Sequence, residues 1–75
     1  MPTIVRLQLS MIRMYFNDHN PPHFHVETTE GRAMLKMSDF SILDGYAPAR
    51  ALKEARLWAD ANRGRLEQVW KEMHP

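Results

Sequence analysis

The chain has 75 residues, a net charge of +1 and no cysteine. This length predicts a single domain, residues 1–75, with a small core, because a chain of this size buries only roughly 60 to 65% of the surface that it exposes when unfolded. The charge excludes the strongly basic class of nucleic-acid-binding proteins, and the lack of cysteine excludes disulfides and fits a reducing cytoplasm. No apolar run approaches the roughly 18 residues of a membrane span, so we expect a cytoplasmic protein that has no membrane partner.

The first part of the chain, residues 1–46, predicts a small antiparallel sheet. Apolar and polar residues alternate there, which is the pattern of strands buried on one face. The inward residues are expected to include Leu9 in the first strand and Phe16 in the second. The strands are predicted at residues 3–9, 12–16, 23–28 and 32–37, with a short fifth strand at 40–43 before the turn at Asp44 and Gly45.

The second part, residues 47–75, has apolar residues at helical spacing. Pro48 suits the first turn of a helix, and Gly64 interrupts the pattern. We therefore predict two helices, about 48–61 and 63–73, or one kinked helix. The fold class is α+β: a small antiparallel sheet of four or five strands followed by two C-terminal helices. The predicted core comprises Val5, Leu7, Ile12, Met14, Phe24, Val26, Leu35, Leu52, Trp58, Leu66 and Trp70.

Three of the four histidines fall within seven positions around a pair of prolines. Pro21 and Pro22 stiffen this connection, since neither can donate a backbone hydrogen bond. On the strand that follows, alternation places His23, His25 and Glu27 on one face. The polar face of the sheet is therefore predicted to bring together Arg13, Tyr15, Asp18, His19, His23, His25 and Glu27.

Several chemistries stay open for this face, and the sequence leaves open whether the protein is an enzyme. For acid–base catalysis on a phosphodiester, the candidate catalytic residues are His23, His25, Arg13 and Tyr15, with one histidine as base and Arg13 stabilising negative charge. The same face can bind RNA or protein, with Tyr15 and the imidazoles stacking on bases. For a divalent metal ion, the only cofactor considered, the candidate ligands are His19, His23, His25, Asp18 and Glu27.

A purely structural explanation is also open. Asp18 can close the turn through side-chain to backbone hydrogen bonds, and His23 and His25 can be ordinary exposed strand residues. His74, beside the C-terminal proline, is expected to be a solvated tail residue, and Trp70 is expected to pack in the core or an interface. Because these histidines are grouped around two prolines, a shared role stays open on equal terms with separate structural ones.

The opening Pro2-Thr3-Ile4, the string from Tyr15 to Val26 and a late pair of tryptophans resemble a bacterial family called domain of unknown function 4160. The resemblance covers almost the whole chain, and its specific part is the motif carried by Asp18, His19, Pro21, Pro22, His23 and His25. It implies a compact α+β fold and a small prokaryotic protein of a toxin–antitoxin-like module, with no established activity. The chain departs from the family's pattern at residues 8–11, where many relatives have a glycine turn, which leaves the register of the first hairpin open.

The leading functional prediction is a component of a toxin–antitoxin-like pair that acts through RNA or a partner protein. A small partner protein or a second copy of the chain is expected, because association is the main stabilisation open to a small core without disulfides. Seven of the ten basic residues are arginine, a bias that fits contacts to phosphate or carboxylate but is explained more simply as ordinary composition. The alternative is a metal-binding protein, either a metalloenzyme or a metal-dependent regulator, that uses the same histidines.

Overall fold

The computed structural model describes residues 3–16 and 19–74. Five strands form one antiparallel sheet in which each strand pairs with the next along the chain. Two helices follow the sheet, so the predicted α+β fold is confirmed. The elements are β1 (Thr3–Arg6), β2 (Met11–Arg13), β3 (His23–Thr28), β4 (Gly31–Lys36), β5 (Ile42–Gly45), α1 (Ala49–Ala61) and α2 (Arg63–Met73).

The core lies between one face of the sheet and the helices. Alternate residues of the central strands point into it, as the period of two in the sequence predicts. Every predicted core residue is buried or packs against the buried cluster as a partly buried side chain. The largest fully buried side chains are Phe24, Ile12, Met14, Leu35, Leu66, His23 and Val26.

Arginine side chains of the helices contact the β-rich part of the chain. Arg56 Nε donates to the carbonyl of Phe40 at 3.0 Å, and Arg65 Nη2 donates to the carbonyl of Ile4 at 3.0 Å. Arg63 lies over the ring of Phe40, 4.3 Å from its centroid. These three arginines therefore have structural partners, which accounts for part of the arginine bias.

The ends of the first two strands differ from the prediction. β1 stops at Arg6 because the chain then turns, with the N–H of Leu7 donating to the carbonyl of Ser10. Leu9 and Phe16, both predicted to point inward, have 40% and 61% of their surface exposed. A register shift within β1 also brings Ile4 into the core, a position that strict alternation assigns to the other face.

The fifth strand starts two residues later than predicted, and the helices are two separate elements. Phe40 has a φ of 63°, a left-handed conformation that an extended strand excludes. Asn62 has φ −130° and ψ 31°, so the helical path breaks there instead of kinking at Gly64. Its side-chain amide donates to the carbonyl of Trp58 and satisfies one of the last acceptors of α1.

Among the described residues, neither helix has the length or the apolar composition to cross a bilayer. This agrees with the absence of a long apolar run in the sequence.

Candidate functional site on the open face of the sheet

The face of the sheet that points away from the helices carries the candidate residues. Strand pairing sets Arg13 beside His25, His25 beside Met34 and Met34 beside Asp44. A parallel row contains Arg6, Met11, Glu27 and Arg32. Because side chains alternate along a strand, these two rows share one face. The predicted juxtaposition of Arg13 with His25 is therefore present.

The three clustered histidines lie in a row of ring contacts. The centroids of His19 and His23 are 5.5 Å apart, and those of His23 and His25 are 5.3 Å apart. Tyr15 continues the row, since its ring meets His25 at 4.6 Å and at 82°. The imidazoles around the proline pair thus form one connected group, in which they follow one another in a line and do not surround one point.

His23 occupies an interior position within this group. The residue is fully buried. Its Nδ1 lies 2.8 Å from the carbonyl oxygen of Pro21, and because a carbonyl only accepts, Nδ1 carries the proton. The indole of Trp70 in α2 lies 5.6 Å from the imidazole. His23 therefore holds the proline loop and its neighbouring rings in place, whereas His25 is only partly buried and lies on the open face.

Glu27 is the acceptor on which several open-face side chains converge. The hydroxyl of Tyr15 donates a hydrogen bond to its carboxylate. The guanidinium groups of Arg13 and Arg32 lie 3.6 and 3.8 Å from its oxygens. These interactions fix Tyr15 and Arg13 beside His25, which is the kind of support that keeps a functional site in one geometry.

The environment of Tyr15 keeps its hydroxyl protonated. The hydrogen bond to Glu27 raises the pKa of Tyr15 above 10.0, and burial and the negative charge of Glu27 act in the same direction. Arg13 opposes them and lowers the pKa by a smaller amount. At neutral pH Tyr15 is thus a hydrogen-bond donor whose proton is committed to Glu27.

The predicted metal ligands are only partly brought together. Asp18 lies outside the described residues, so its role as a metal ligand stays a prediction. The carboxylate of Glu27 accepts a hydrogen bond from Tyr15, so the imidazoles are not its only neighbours. Within residues 3–16 and 19–74, no three side chains of His, Asp or Glu are placed to hold one ion together.

Trp70 and His74, to which the sequence assigned other roles, join the histidine row. The imidazole of His74 stacks on the indole of Trp70, with centroids 3.8 Å apart and planes 19° apart. His74 is thus half-buried and not a solvated tail residue, and it is linked through Trp70 to His23. Spacing along α2 could have suggested this contact, since residues four apart share a helix face.

Two cavities flank the histidine row. An apolar groove of about 450 Å³ separates the proline pair from Trp70 on the helical side. A second cavity, of about 290 Å³, opens on the sheet face and is lined by His25, Arg32, Met34, Asp44 and Gly45. The second cavity is lined by the catalytic candidate His25. It is also lined by Arg32, Met34 and Asp44, to which the sequence assigned no function. Only the strand register places these residues beside His25.

Comparison with known proteins identifies the family. The family model described as "Domain of unknown function (DUF4160)" matches residues 10–71, which include β2 to β5, α1, most of α2 and the histidines His19, His23 and His25. No curated protein and no solved structure matches the chain significantly. On the extent of this match, the chain belongs to the DUF4160 family.

Proposed function

We propose that the protein binds RNA on the open face of its sheet, as one component of a toxin–antitoxin-like pair. The observation that carries this proposal is the contact between His25 and Tyr15, held beside Arg13 on an exposed antiparallel sheet. Aromatic and imidazole rings on such a sheet stack on unpaired bases, and neighbouring arginines bind the phosphates.

The charge of the face supports an anionic ligand. Arg6, Arg13, Arg32 and Lys36 lie on it by strand alternation, against the carboxylates of Glu27 and Asp44. The whole chain has a net charge of only +1, so positive charge is enriched on this face compared with the rest of the molecule. A local cationic surface attracts a polyanion even where the total charge is small.

His25 is the residue that we assign to proton transfer if the bound RNA is cleaved. It is partly exposed, whereas His23 is enclosed by the loop and by Trp70. In this assignment His25 accepts the proton of the ribose 2′-hydroxyl as that oxygen bonds to the phosphorus. The bond from phosphorus to the 5′-oxygen of the next nucleotide breaks, water gives a proton to this leaving oxygen, and Arg13 stabilises the charge that develops on the phosphate oxygens. Tyr15 and His23 position His25 through their ring contacts.

The test compares His25→Ala with His74→Ala, two identical replacements on opposite sides of the row. Binding of a fluorescent single-stranded RNA is followed by anisotropy, cleavage by gel electrophoresis and folding by circular dichroism. We expect His25→Ala to weaken binding or abolish cleavage while its fold stays native, and His74→Ala to behave as the unmodified protein. Equal RNA binding by all three proteins, without cleavage by any, contradicts the proposal.

A partner protein or a second copy of the chain is part of the same proposal. Its support is the set of large apolar side chains that remain exposed, Leu9, Phe16, Ile42, Tyr46 and Leu57. Exposed apolar side chains of this size are available for contact with a partner, and a contiguous group of them is typical of an interface. Sedimentation of the purified chain at several concentrations tests self-association, and a monomer at all of them leaves the partner protein as the expected companion.

Metal binding is the second candidate, and the close approach of His19 and His23 favours it. Two imidazoles supply part of a site for zinc or nickel, and Asp18 next to His19 in the sequence is a further candidate ligand. The test measures metal content after purification without a histidine tag, and then the melting temperature with added zinc or nickel. An ion that binds the native state raises that temperature by mass action, and no metal and no rise contradict this candidate.

A further inference from the structure

We propose that the cavity beside His25 is a pocket for a guanine base. This inference rests on the proposed RNA function and assigns its base preference. The pocket is lined by His25, Arg32, Met34, Asp44 and Gly45, is open to solvent and has a volume of about 290 Å³. This volume lies at the lower limit of ligand pockets, which is roughly 300 Å³, so the pocket is suited to a single nucleotide and not to a longer segment.

The strand register sets the shape of the pocket. His25, Met34 and Asp44 lie side by side on three successive strands. Two strand spacings, about 10 Å, therefore separate the imidazole from the carboxylate. The flexible, polarisable side chain of Met34 lies between them and offers an apolar surface for the face of a base. A base placed on Met34 has a titratable ring on one side and a carboxylate on the other.

Gly45 lines the end of the pocket with backbone alone. Its φ is +82°, and a Cβ atom at this position would lie 2.3 Å from the carbonyl oxygen of Arg32. A side chain is therefore excluded there by the backbone of the neighbouring strand, whatever ligand binds. The pocket wall beside Asp44 consists of backbone, which permits the close approach of a planar ring.

The carboxylate of Asp44 selects guanine among the four bases. An ionised carboxylate offers only acceptors. Guanine presents two adjacent donors, N1–H and the N2 amino group, which match the two carboxylate oxygens. Adenine and cytosine place an acceptor nitrogen beside their amino group, and uracil places carbonyls on both sides of its single N–H. Asp44 already accepts from the N–H of Gly45 at 2.8 Å, which fixes its orientation and leaves further lone pairs for a ligand.

Arg32 supplies the phosphate contact of the same nucleotide. Its side chain is 69% exposed and lies 3.8 Å from Glu27 at the rim of the pocket. An exposed ion pair of this kind is weak, so the guanidinium can turn to a phosphate at small cost. The base against Asp44 and the phosphate near Arg32 then place the ribose towards His25. The pocket therefore directs His25 to the phosphodiester next to a guanosine.

The experiment measures affinity for short single-stranded RNAs. The probes are oligouridylates that contain one central guanosine or one central adenosine, and guanosine monophosphate serves as a competitor. Three proteins are compared: the unmodified chain, Asp44→Asn and the control Asp60→Asn, which removes an exposed carboxylate of α1 with the same change in charge. The asparagine at position 44 retains an oxygen to accept from Gly45, and circular dichroism confirms that each variant is folded.

We expect the unmodified chain and Asp60→Asn to bind the guanosine probe about tenfold more tightly than the adenosine probe, the preference that one bidentate contact supplies. Asp44→Asn should lose this preference and keep the adenosine affinity within about twofold. Guanosine monophosphate that competes as strongly as the guanosine RNA supports the pocket but identifies a free nucleotide as its ligand. RNA binding without a preference, or a preference that survives Asp44→Asn, overturns the pocket and leaves RNA binding intact. No binding of any RNA or nucleotide overturns both proposals.

Discussion

The ring of Tyr15 meets the imidazole of His25 edge to face, 4.6 Å between centroids, while its hydroxyl donates to Glu27 two residues further along the same strand. One tyrosine thus contacts both partly buried polar residues of β3 on the open face. Glu27 in turn holds Arg13, the strand neighbour of His25. These contacts hold an imidazole, a phenol and a guanidinium group in a fixed arrangement.

The pKa of Tyr15 is expected to lie above the ordinary value for a tyrosine. In a Tyr46→Phe background Tyr15 is the one remaining tyrosine, and the ultraviolet absorbance of its phenolate reports its titration. The hydrogen bond to Glu27 raises the pKa of Tyr15 above 10.0, so Glu27→Gln should lower the midpoint towards that value. Because the pKa of Tyr15 is higher in the folded state, the contribution of its hydrogen bond to the free energy of unfolding is complete below pH 10. This contribution is lost as the pH rises through the higher pKa of the folded state. An identical midpoint with and without Glu27 contradicts this contact.

The two arginines at Glu27 are expected to contribute unequally to stability. The side chains of Arg13 and Glu27 are only 25% and 16% exposed, whereas that of Arg32 is 69% exposed. A double-mutant cycle by urea unfolding should give a coupling free energy of about 1 kcal/mol for Arg13 with Glu27 and below about 0.5 kcal/mol for Arg32 with Glu27. A larger coupling for Arg32 would show that exposure does not control these pairs.

His23 is expected to be important for stability, and His19 is not. His23→Ala removes a fully buried ring together with its hydrogen bond to Pro21, and should lower the free energy of unfolding by about 2 to 4 kcal/mol. His19→Ala truncates an exposed ring and should change it by less than about 0.5 kcal/mol. Urea unfolding followed by tryptophan fluorescence gives both values. Equal costs for the two replacements would contradict an interior position for His23.

Replacing two glycines by alanine should change stability in opposite directions. At Gly45 the new Cβ would lie 2.3 Å from a backbone oxygen at a φ of +82°, so Gly45→Ala should cost at least about 2 kcal/mol. At Gly64 a Cβ has no atom within 4 Å, and the residue lies in α2, so Gly64→Ala should stabilise by up to about 1 kcal/mol. The melting temperatures should therefore move apart. A shift of the same sign in both variants argues against the described path of β5.

The sequence predicts the order and type of the elements because hydrophobic period is a local property. Alternation in residues 23–28 and helical spacing after Pro48 each identify an element without knowledge of the others. Local pattern fails where the backbone departs from regular geometry. The register shift in β1 and the left-handed Phe40 displace the first and last strands, and neither leaves a glycine or proline signal at its own position.

The candidate site is predictable only in part, for the same reason. His23, His25 and Glu27 lie on one strand, so their common face follows from alternation alone. The burial of His23 depends on Trp70, which is 47 positions further along the chain and reaches it only through the packing of α2. Met34 and Asp44 join His25 through pairings of three strands, and no local spacing reveals that row.

The most direct test of the central claim is to map the RNA contact on the labelled protein by nuclear magnetic resonance. A single-stranded RNA is titrated into the chain while amide and histidine side-chain signals are followed. Binding on the open face should shift the signals of Arg13, His25, Arg32 and Met34 and leave those of Leu57 and Gln68 on the helices unchanged. Shifts confined to the helical side, or no shifts at RNA concentrations that saturate the anisotropy signal, would contradict the account.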